Sequence, residues 1–307
     1  MKRISLRWRQ VNDWFFGGIL DYWLAALRIG LGFELLLYGI TSRADWLQMF
    51  TLHPGSFVTR DLTEALVTLG AALVPRVSWL ISVGEFIGLS EATVLWVVWS
   101  GLMAAGLCLV AGIFCLSAAI AAWFLHLSAI KSSALLSYGV DNFTSIGLFY
   151  LMLSPLPDHL ALDSRWRKWP TKNAQLQSFW RRILQLHLCV IYFFSGLTKL
   201  LGSGWWNGES LWRALTRPPF DMVPSELLIH GKYLFIPLGL GICLLETSYP
   251  VFIWPRRTRL IWLVGVIGMH GAIAVLMGLY LFGFIMAVLN IAAFGTDFFR
   301  LRDSKAI

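Results

Sequence analysis

Eight stretches of this chain are each apolar for about the length that crosses a bilayer, and that recurrence constrains the fold more than any other feature. They lie at roughly 22–40, 92–113, 115–131, 140–156, 183–202, 234–254, 260–278 and 280–297. A helix needs about 20 apolar residues to span the hydrocarbon core. No water is available there to satisfy backbone polar groups, so each run must hydrogen-bond internally, which makes helices the default. The predicted fold is an all-α polytopic bundle of about eight transmembrane helices, with residues 1–307 forming a single membrane domain.

Composition agrees. Of the 307 residues 57% are hydrophobic and 14% charged, and a soluble domain of that length would need far more charge to cover its surface. The net charge of +8 does not point to nucleic acid, because the basic residues sit in short connections between apolar runs. Lys2, Arg3, Arg7 and Arg9 precede the first run. Arg165, Arg167, Lys168, Lys172, Arg181 and Arg182 lie between the fourth and fifth, Arg256, Arg257 and Arg259 between the sixth and seventh, and Arg300, Arg302 and Lys305 after the eighth. With eight spans all four sets fall on one side of the membrane. The positive-inside rule then makes that side cytoplasmic, placing both termini and the basic loop 157–182 there. Segments 41–91, 132–139 and 203–233 face out from a cell (inner) membrane. Within the first of these, TRDLTEALVTLGAA (59–72) has the pattern of an amphipathic helix with Asp61 and Glu64 near its start. Segment 41–91 is therefore expected to form an extracytoplasmic cap.

Cys108, Cys115, Cys189 and Cys243 all lie in apolar runs without a CxxC spacing, so they read as packing residues rather than disulfides or metal ligands. The basic opening MKRISLRWRQ is not followed by a short apolar stretch ending in small residues, so the first run is expected to stay as an anchor. Most of the 16 Trp residues fall near span ends, among them Trp14, Trp79, Trp166, Trp169, Trp205, Trp206, Trp254 and Trp262, as in an interfacial belt.

Ionisable side chains at membrane depth are costly, and each calls for a partner or a task. They are Arg28, Glu34, His126, His187, Lys199, Glu246 and His270. Asp21 and Arg28 are seven apart, on one helix face, and are expected to pair. Glu34 points elsewhere and needs a partner from another helix. The fifth run reads RRILQLHLCVIYFFSGLTKLLGSGWWNG, in which Gln185, Tyr192 and Lys199 recur every seven residues and Ser195 adds a hydroxyl on the same side. Such a stripe must face protein or a water-filled cavity. Lys199 itself has two readings: a lysine snorkelling to the outer headgroups, or an amine in an apolar cavity serving as a general base. His187 lies about 120° away around the helix and forms no dyad with it. His270, among Gly and Ala in WLVGVIGMHGAIAVLMGL, is either a cross-helix hydrogen-bonding group or a helper to Lys199.

The segment FFSGLTKL followed by WWNG (193–208) resembles the fifth-span motif of the vitamin K-dependent γ-glutamyl carboxylases, part of the horizontally transferred transmembrane (HTTM) domain family. The matching residues are Phe193, Phe194, Gly196, Lys199, Leu200, Trp205 and Gly208. The run ALRIGLGFELLLYG (26–39) is similar to the opening helix of that family. YGVDNFTSIGLFYLMLSPLPDHLALDSRW (138–166) resembles its fourth span and the turn that follows, here Ala161, Leu162 and Asp163. His270, Phe282 and Met286 resemble its His-Phe-Met spacing.

The resemblance implies that Lys199 deprotonates a reduced quinone cofactor of the vitamin K kind, with His270 assisting. Reaction with oxygen then yields a strong base that removes a γ-proton from a substrate glutamate, to which carbon dioxide adds. It implies Tyr192, Ser195, Trp205, Phe282 and Met286 as cofactor-binding residues, and Asp141, Asn142 and Glu246 near the substrate or supporting the site. No metal is implied. Where the carboxylases carry a catalytic His before the fourth span, this chain has Asn142. In size it resembles the small bacterial members of the sporulation-delaying-protein B type, which help mature a secreted peptide toxin with a small partner protein.

Two functions follow. One is a membrane enzyme acting on a secreted peptide or protein, with Lys199 at the extracytoplasmic end. The other is a non-catalytic scaffold, or a toxin maturation or immunity factor, that works with a small accessory protein through the outer segments, including Arg213, Arg217, Pro218, Pro219 and Phe220. A transporter is disfavoured, since no inverted repeat or broken helix is visible.

Overall fold

The computed structural model describes residues 2–17, 22–50, 60–165 and 172–299. In chain order the helices are α1 (Lys2–Phe16), α2 (Trp23–Ser42), α3 (Trp46–Phe50), α4 (Arg60–Gly70), α5 (Val77–Phe86), α6 (Glu91–Ala111), α7 (Cys115–Ser132) and α8 (Gly139–Leu153). They continue as α9 (Lys172–Leu200), α10 (Ser203–Trp206), α11 (Glu209–Thr216), α12 (Ser225–His230), α13 (Phe235–Phe252), α14 (Arg256–Met277) and α15 (Tyr280–Asn290). No strand occurs among the described residues, as the apolar runs predict. Among the described residues, seven helices are long and apolar enough to cross a membrane. The eighth expected segment, 140–156, forms α8, whose 15 residues rise only ~22 Å at helix pitch.

The chain makes two compact units, Met1–Ala26 with Thr171–Ile307, and Leu27–Pro170. In the second, Gly32 and Gly106 let α2 and α6 approach until a methyl at Gly106 would stand 3.1 Å from the Gly32 carbonyl. Apolar attraction between helices is weak in lipid, so such close contact and buried polar bonds carry the packing. Arg28 supplies one such centre. Its Nε lies 2.5 Å from Asp158 Oδ2, and its Nη1 donates to the carbonyls of Leu109 and Val110. The partner expected from sequence, Asp21, lies outside the described residues.

Segment 41–91 shows why α4 is amphipathic. Arg60 pairs with Glu91 at 2.6 Å, and Glu64 Oε1 accepts from Ser132 Oγ at 2.6 Å and from the Ser78 amide at 3.2 Å. Trp46 Nε1 donates to the Leu95 carbonyl at 2.8 Å. These bonds dock the short helices α3 to α5 on α6 and α7. The turn after α8 has a role of its own: Asp163 accepts the Cys115 amide at 2.8 Å and donates its own amide to the Gly112 carbonyl at 2.9 Å. A carboxylate thus caps the positive end of α7, and Gly112, at φ +75°, makes the tight bend. Glu34 is buried, and neither carboxyl oxygen has a hydrogen-bond partner among the described residues, so the cross-helix partner expected for it is not found there.

In the first unit α9 packs along α13, and α14 forms a hairpin with α15. Phe16 of α1 stacks on Phe179 of α9 with ring centroids 5.2 Å apart. Beyond Asn290 the chain widens into a π-helical turn, Ile291–Gly295. Short helices α10 to α12 close the end near Lys199, with Leu215, Leu228 and Phe235 as a small apolar core. The four cysteines are free, and all but Cys108 are buried, in keeping with packing roles.

Candidate functional site

The site is built on α9, α13, α14 and α15. On α9 the seven-residue stripe turns inward as predicted, and each member meets protein. Gln185 Nε2 donates to the Ala293 carbonyl at 2.6 Å. Tyr192 is buried at 1% exposure. Lys199 Nζ donates to Ser195 Oγ at 2.6 Å and meets Glu246 Oε2 at 2.5 Å. The ammonium also stands 5.5 Å from the centre of the Trp205 ring, within cation–π range. Lys199 is therefore committed to the bundle rather than snorkelling to headgroups, and it is paired rather than free.

Local sequence explains the pairing. A methyl at Gly196 would strike the amide nitrogen and Oγ1 of Thr247. This glycine lets α9 and α13 touch one turn from Lys199, bringing Glu246 within reach. Gly208 has φ +79°, a left-handed conformation that glycine adopts without cost, and it follows the short helix α10 that lays Trp205 over the ammonium. The aromatic pair preceding Gly196 faces outward, Phe193 and Phe194 both being exposed.

Two turns along α9 a second polar group forms a chain of hydrogen bonds. Tyr249 Oη donates to Asn290 Oδ1 at 2.8 Å, and Asn290 Nδ2 donates to Tyr192 Oη at 2.8 Å. The same amide nitrogen reaches the Met286 carbonyl at 2.8 Å. A carbonyl accepts only, so this contact fixes which end of the Asn290 amide carries the hydrogens. Tyr192 Oη, receiving one hydrogen, has its own to give to His270 Nε2 at 3.0 Å. The imidazole thus takes the tautomer with its hydrogen on Nδ1, and that atom has no hydrogen-bond partner among the described residues. Tyr192 stacks on Tyr249 with centroids 4.2 Å apart, and Phe282 meets His270 edge-on at 5.4 Å. The carboxylate of Glu246 and the ammonium of Lys199 act electrostatically on Tyr192 and His270 respectively.

Of the residues expected from sequence, Lys199, His270, Tyr192, Ser195, Trp205, Phe282, Met286 and Glu246 gather in this unit, with Met286 contributing its backbone carbonyl. Asp141 and Asn142 belong to the other unit. There Asp141 is buried and accepts the Tyr138 amide at 2.9 Å, capping α8, while Asn142 is exposed. Tyr249 and Asn290 are the site residues that the sequence reading missed. Among the described residues, no group of three or more His, Cys, Asp or Glu is placed to hold a metal.

A crevice of about 500 Å³ opens between α13 and α14, lined by Leu215, Phe235, Leu245, Gly265, Met269 and Met277 among other apolar residues, and none of the polar residues above lines it. Leu245 and Met269 are the chain neighbours of Glu246 and His270. The site thus joins an ion pair and an N–H donor without a partner among the described residues. The sequence model of the HTTM domain matches residues 82–298, more than two thirds of the chain. No curated protein and no solved structure matches it.

Proposed function

The chain belongs to the HTTM domain family, and from that premise we propose that it is a membrane enzyme of the vitamin K-dependent carboxylase kind. In this reading it acts on a secreted peptide or protein, with Lys199 and Glu246 together supplying the general base. The observation that carries the reading is the 2.5 Å contact between Lys199 and Glu246. An ammonium cannot accept a proton. In a site of low dielectric, however, a lysine–glutamate pair can pass its proton to the carboxylate, because burial penalises charge separation. The Lys199 lone pair is then free to take a proton from an acidic hydroxyl, while Glu246 holds the proton that was displaced.

A reduced quinone suits these residues: Lys199 Nζ would accept from one ring hydroxyl, His270 Nδ1 would donate to the other ring oxygen, and the cleft lined by Leu245 and Met269 would take its apolar body. When bound, such a cofactor supplies the reaction with oxygen that produces a base stronger than any side chain. The protein's own work is to orient that ring, keep water out, and remove the first proton at Lys199. The charge pattern supports cytoplasmic termini and an extracytoplasmic Lys199 end in the inner membrane. Lys199 lies 18 residues beyond Arg181 on α9, or ~27 Å at helix rise.

The test is quinol-dependent oxygen uptake by the reconstituted full chain, which needs no knowledge of the peptide. Lys199→Ala, Lys199→Arg and Glu246→Gln should each abolish it, the arginine because a guanidinium does not deprotonate. Uptake by Lys199→Ala equal to that of the unchanged protein rejects the reading. The same ion pair also favours a second reading, since a paired lysine is how a purely structural clamp is built. In that case the protein is a scaffold or a toxin maturation or immunity factor, and changes at Arg213 or Arg217 in the 203–233 segment would abolish function while Lys199→Met with Glu246→Met leaves it intact.

A further inference from the structure

Two short helices between α2 and α6 carry their polarity the wrong way round for a lid facing water. On α4 the polar residues Arg60, Thr63 and Glu64 are buried. The ion pair of Arg60 with Glu91 and the bonds of Glu64 to Ser132 Oγ and the Ser78 amide hold that face to protein. The opposite side shows Leu62, Leu66 and Leu69 at spacings of four and three, continued by Leu73 just past the helix end. All four are exposed, Leu69 at 86% and Leu73 at 89%. From Leu62 to Pro75 the only ionisable side chain is Glu64, so that exposed surface bears no charge. On α5, Val77, Ile81 and Gly84 are buried on one side, and Trp79, Val83 and Phe86 are exposed on another, Phe86 at 91%. Its polar residues, Ser78, Ser82 and Glu85, are confined by the helix period to one edge between the two.

The docking points fix the height of this pair. The 21 residues of α6 rise ~31 Å, matching the ~30 Å hydrocarbon core, so Glu91, its first residue, stands at a membrane boundary. Ser132 is the last residue of α7, which returns alongside α6, and its Oγ also accepts the Val77 amide at 2.8 Å. Both short helices are thus tied to the boundary ends of two spanning helices. A helix that is apolar on most sides belongs inside protein or lipid, and the 10 residues of α5 are too few to cross the membrane. α5 packs on α6 where Gly84 faces Val94. The next turn of α6 exposes Trp96 and Val97, so the apolar surface of the pair adjoins one that lipid covers. Arg76, between the two helices, donates to the Ala72 carbonyl at 3.2 Å and lies 5.2 Å from the centre of the Trp79 ring, and tryptophan is the residue that collects at headgroup level.

We propose that α4 and α5 are sunk in one leaflet of the bilayer, with the polar face of α4 turned to protein and the exposed apolar faces of both helices turned to acyl chains. The partner of the leucine stripe is lipid hydrocarbon. Interfacial helices bury their apolar faces about 5–10 Å into the boundary between headgroups and chains. Water is the wrong neighbour for a contiguous, charge-free surface of large apolar side chains. This part of the 41–91 segment is therefore a ledge within the membrane rather than a lid above it. The proposal holds for either orientation of the chain and does not depend on the chemistry at Lys199.

The test uses the purified full chain reconstituted in phosphatidylcholine vesicles, with a diazirine-bearing amino acid in place of Leu69, Leu73, Phe86 or Ile81 in turn. After illumination, mass spectrometry reads whether each site has captured lipid, a second copy or the chain itself. Leu69, Leu73 and Phe86 should carry lipid adducts several-fold more often than Ile81, which is buried on the protein side of α5. Fragmentation should place those adducts on acyl chains. Adducts no more frequent than at Ile81 overturn the proposal, as does attachment to headgroups alone. Lipid capture on α4 without capture on α5, or the reverse, overturns the paired placement. Crosslinked dimers in place of lipid adducts also overturn it and assign the stripe to a second copy.

Discussion

Lys199 of α9 and Glu246 of α13 face each other at 2.5 Å, with the carboxylate side chain 6% exposed and the amine side chain 21%. Two charges so placed are cheap together and expensive apart. Removing the amine alone strands a buried carboxylate, at a cost of roughly 3–5 kcal/mol. Lys199→Met should therefore lower the unfolding temperature in detergent sharply, and Lys199→Met with Glu246→Met should recover most of the loss. A double variant as unstable as the single one would show that the contact is not an energetic pair.

The second buried pair, in the other unit, should be less forgiving. Arg28 and Asp158 are each 1% exposed, and Arg28 also serves two backbone carbonyls that end α6. Replacing both by apolar residues removes the charges but leaves those carbonyls short of a donor. Arg28→Met with Asp158→Leu should thus remain destabilised by about 1–3 kcal/mol, the cost of unmade buried hydrogen bonds. Recovery to the stability of the unchanged protein would argue against the carbonyl contacts.

The direction of the hydrogen-bond chain predicts a spectroscopic signature. With Tyr192 donating to Nε2, His270 carries its hydrogen on Nδ1. Nitrogen NMR of histidine-labelled protein should show that tautomer, and Tyr192→Phe should shift the resonance by removing the donor. A His270 signal already in the Nε2–H form, or unmoved by Tyr192→Phe, would reverse the assigned direction.

Glycine contacts give a paired prediction. Gly196→Ala forces a methyl onto Thr247, and overpacking of this kind costs about 1–3 kcal/mol. It should separate α9 from α13 and loosen the Lys199–Glu246 contact. Gly268→Ala meets nothing within 4 Å and should be neutral or stabilising by up to ~1 kcal/mol through lower chain entropy. Thermal unfolding of the two variants side by side decides it, and equal effects would count against the close crossing at Gly196.

Much of this molecule is legible in its residues because the bilayer leaves the chain few options. The seven-residue polar stripe on α9 identifies Tyr192 and Lys199, since polar groups cannot face lipid. What sequence could not give is partnership across helices. Arg28 looks paired to Asp21 on its own face, yet it meets Asp158, 130 residues away. Such a match depends on how helices cross, which no local period encodes. Asn290 and Tyr249 escaped notice because a search for costly groups weighs charge first, and neutral amides and phenols in apolar runs carry no such flag. An amide in the middle of IMAVLNIAAFG is the signal that would have found one of them.

The π-helical turn at Ile291–Gly295 has a mechanical consequence. Its widened backbone leaves the Ala293 carbonyl to two side chains of α9, Arg181 Nε at 3.0 Å and Gln185 Nε2 at 2.6 Å. Sliding or rolling α9 by even one residue would strip that buried oxygen of both donors. The helix is bolted in register at its arginine end, and that lock indexes Tyr192 against Asn290 and Lys199 against Glu246 farther along the same rod.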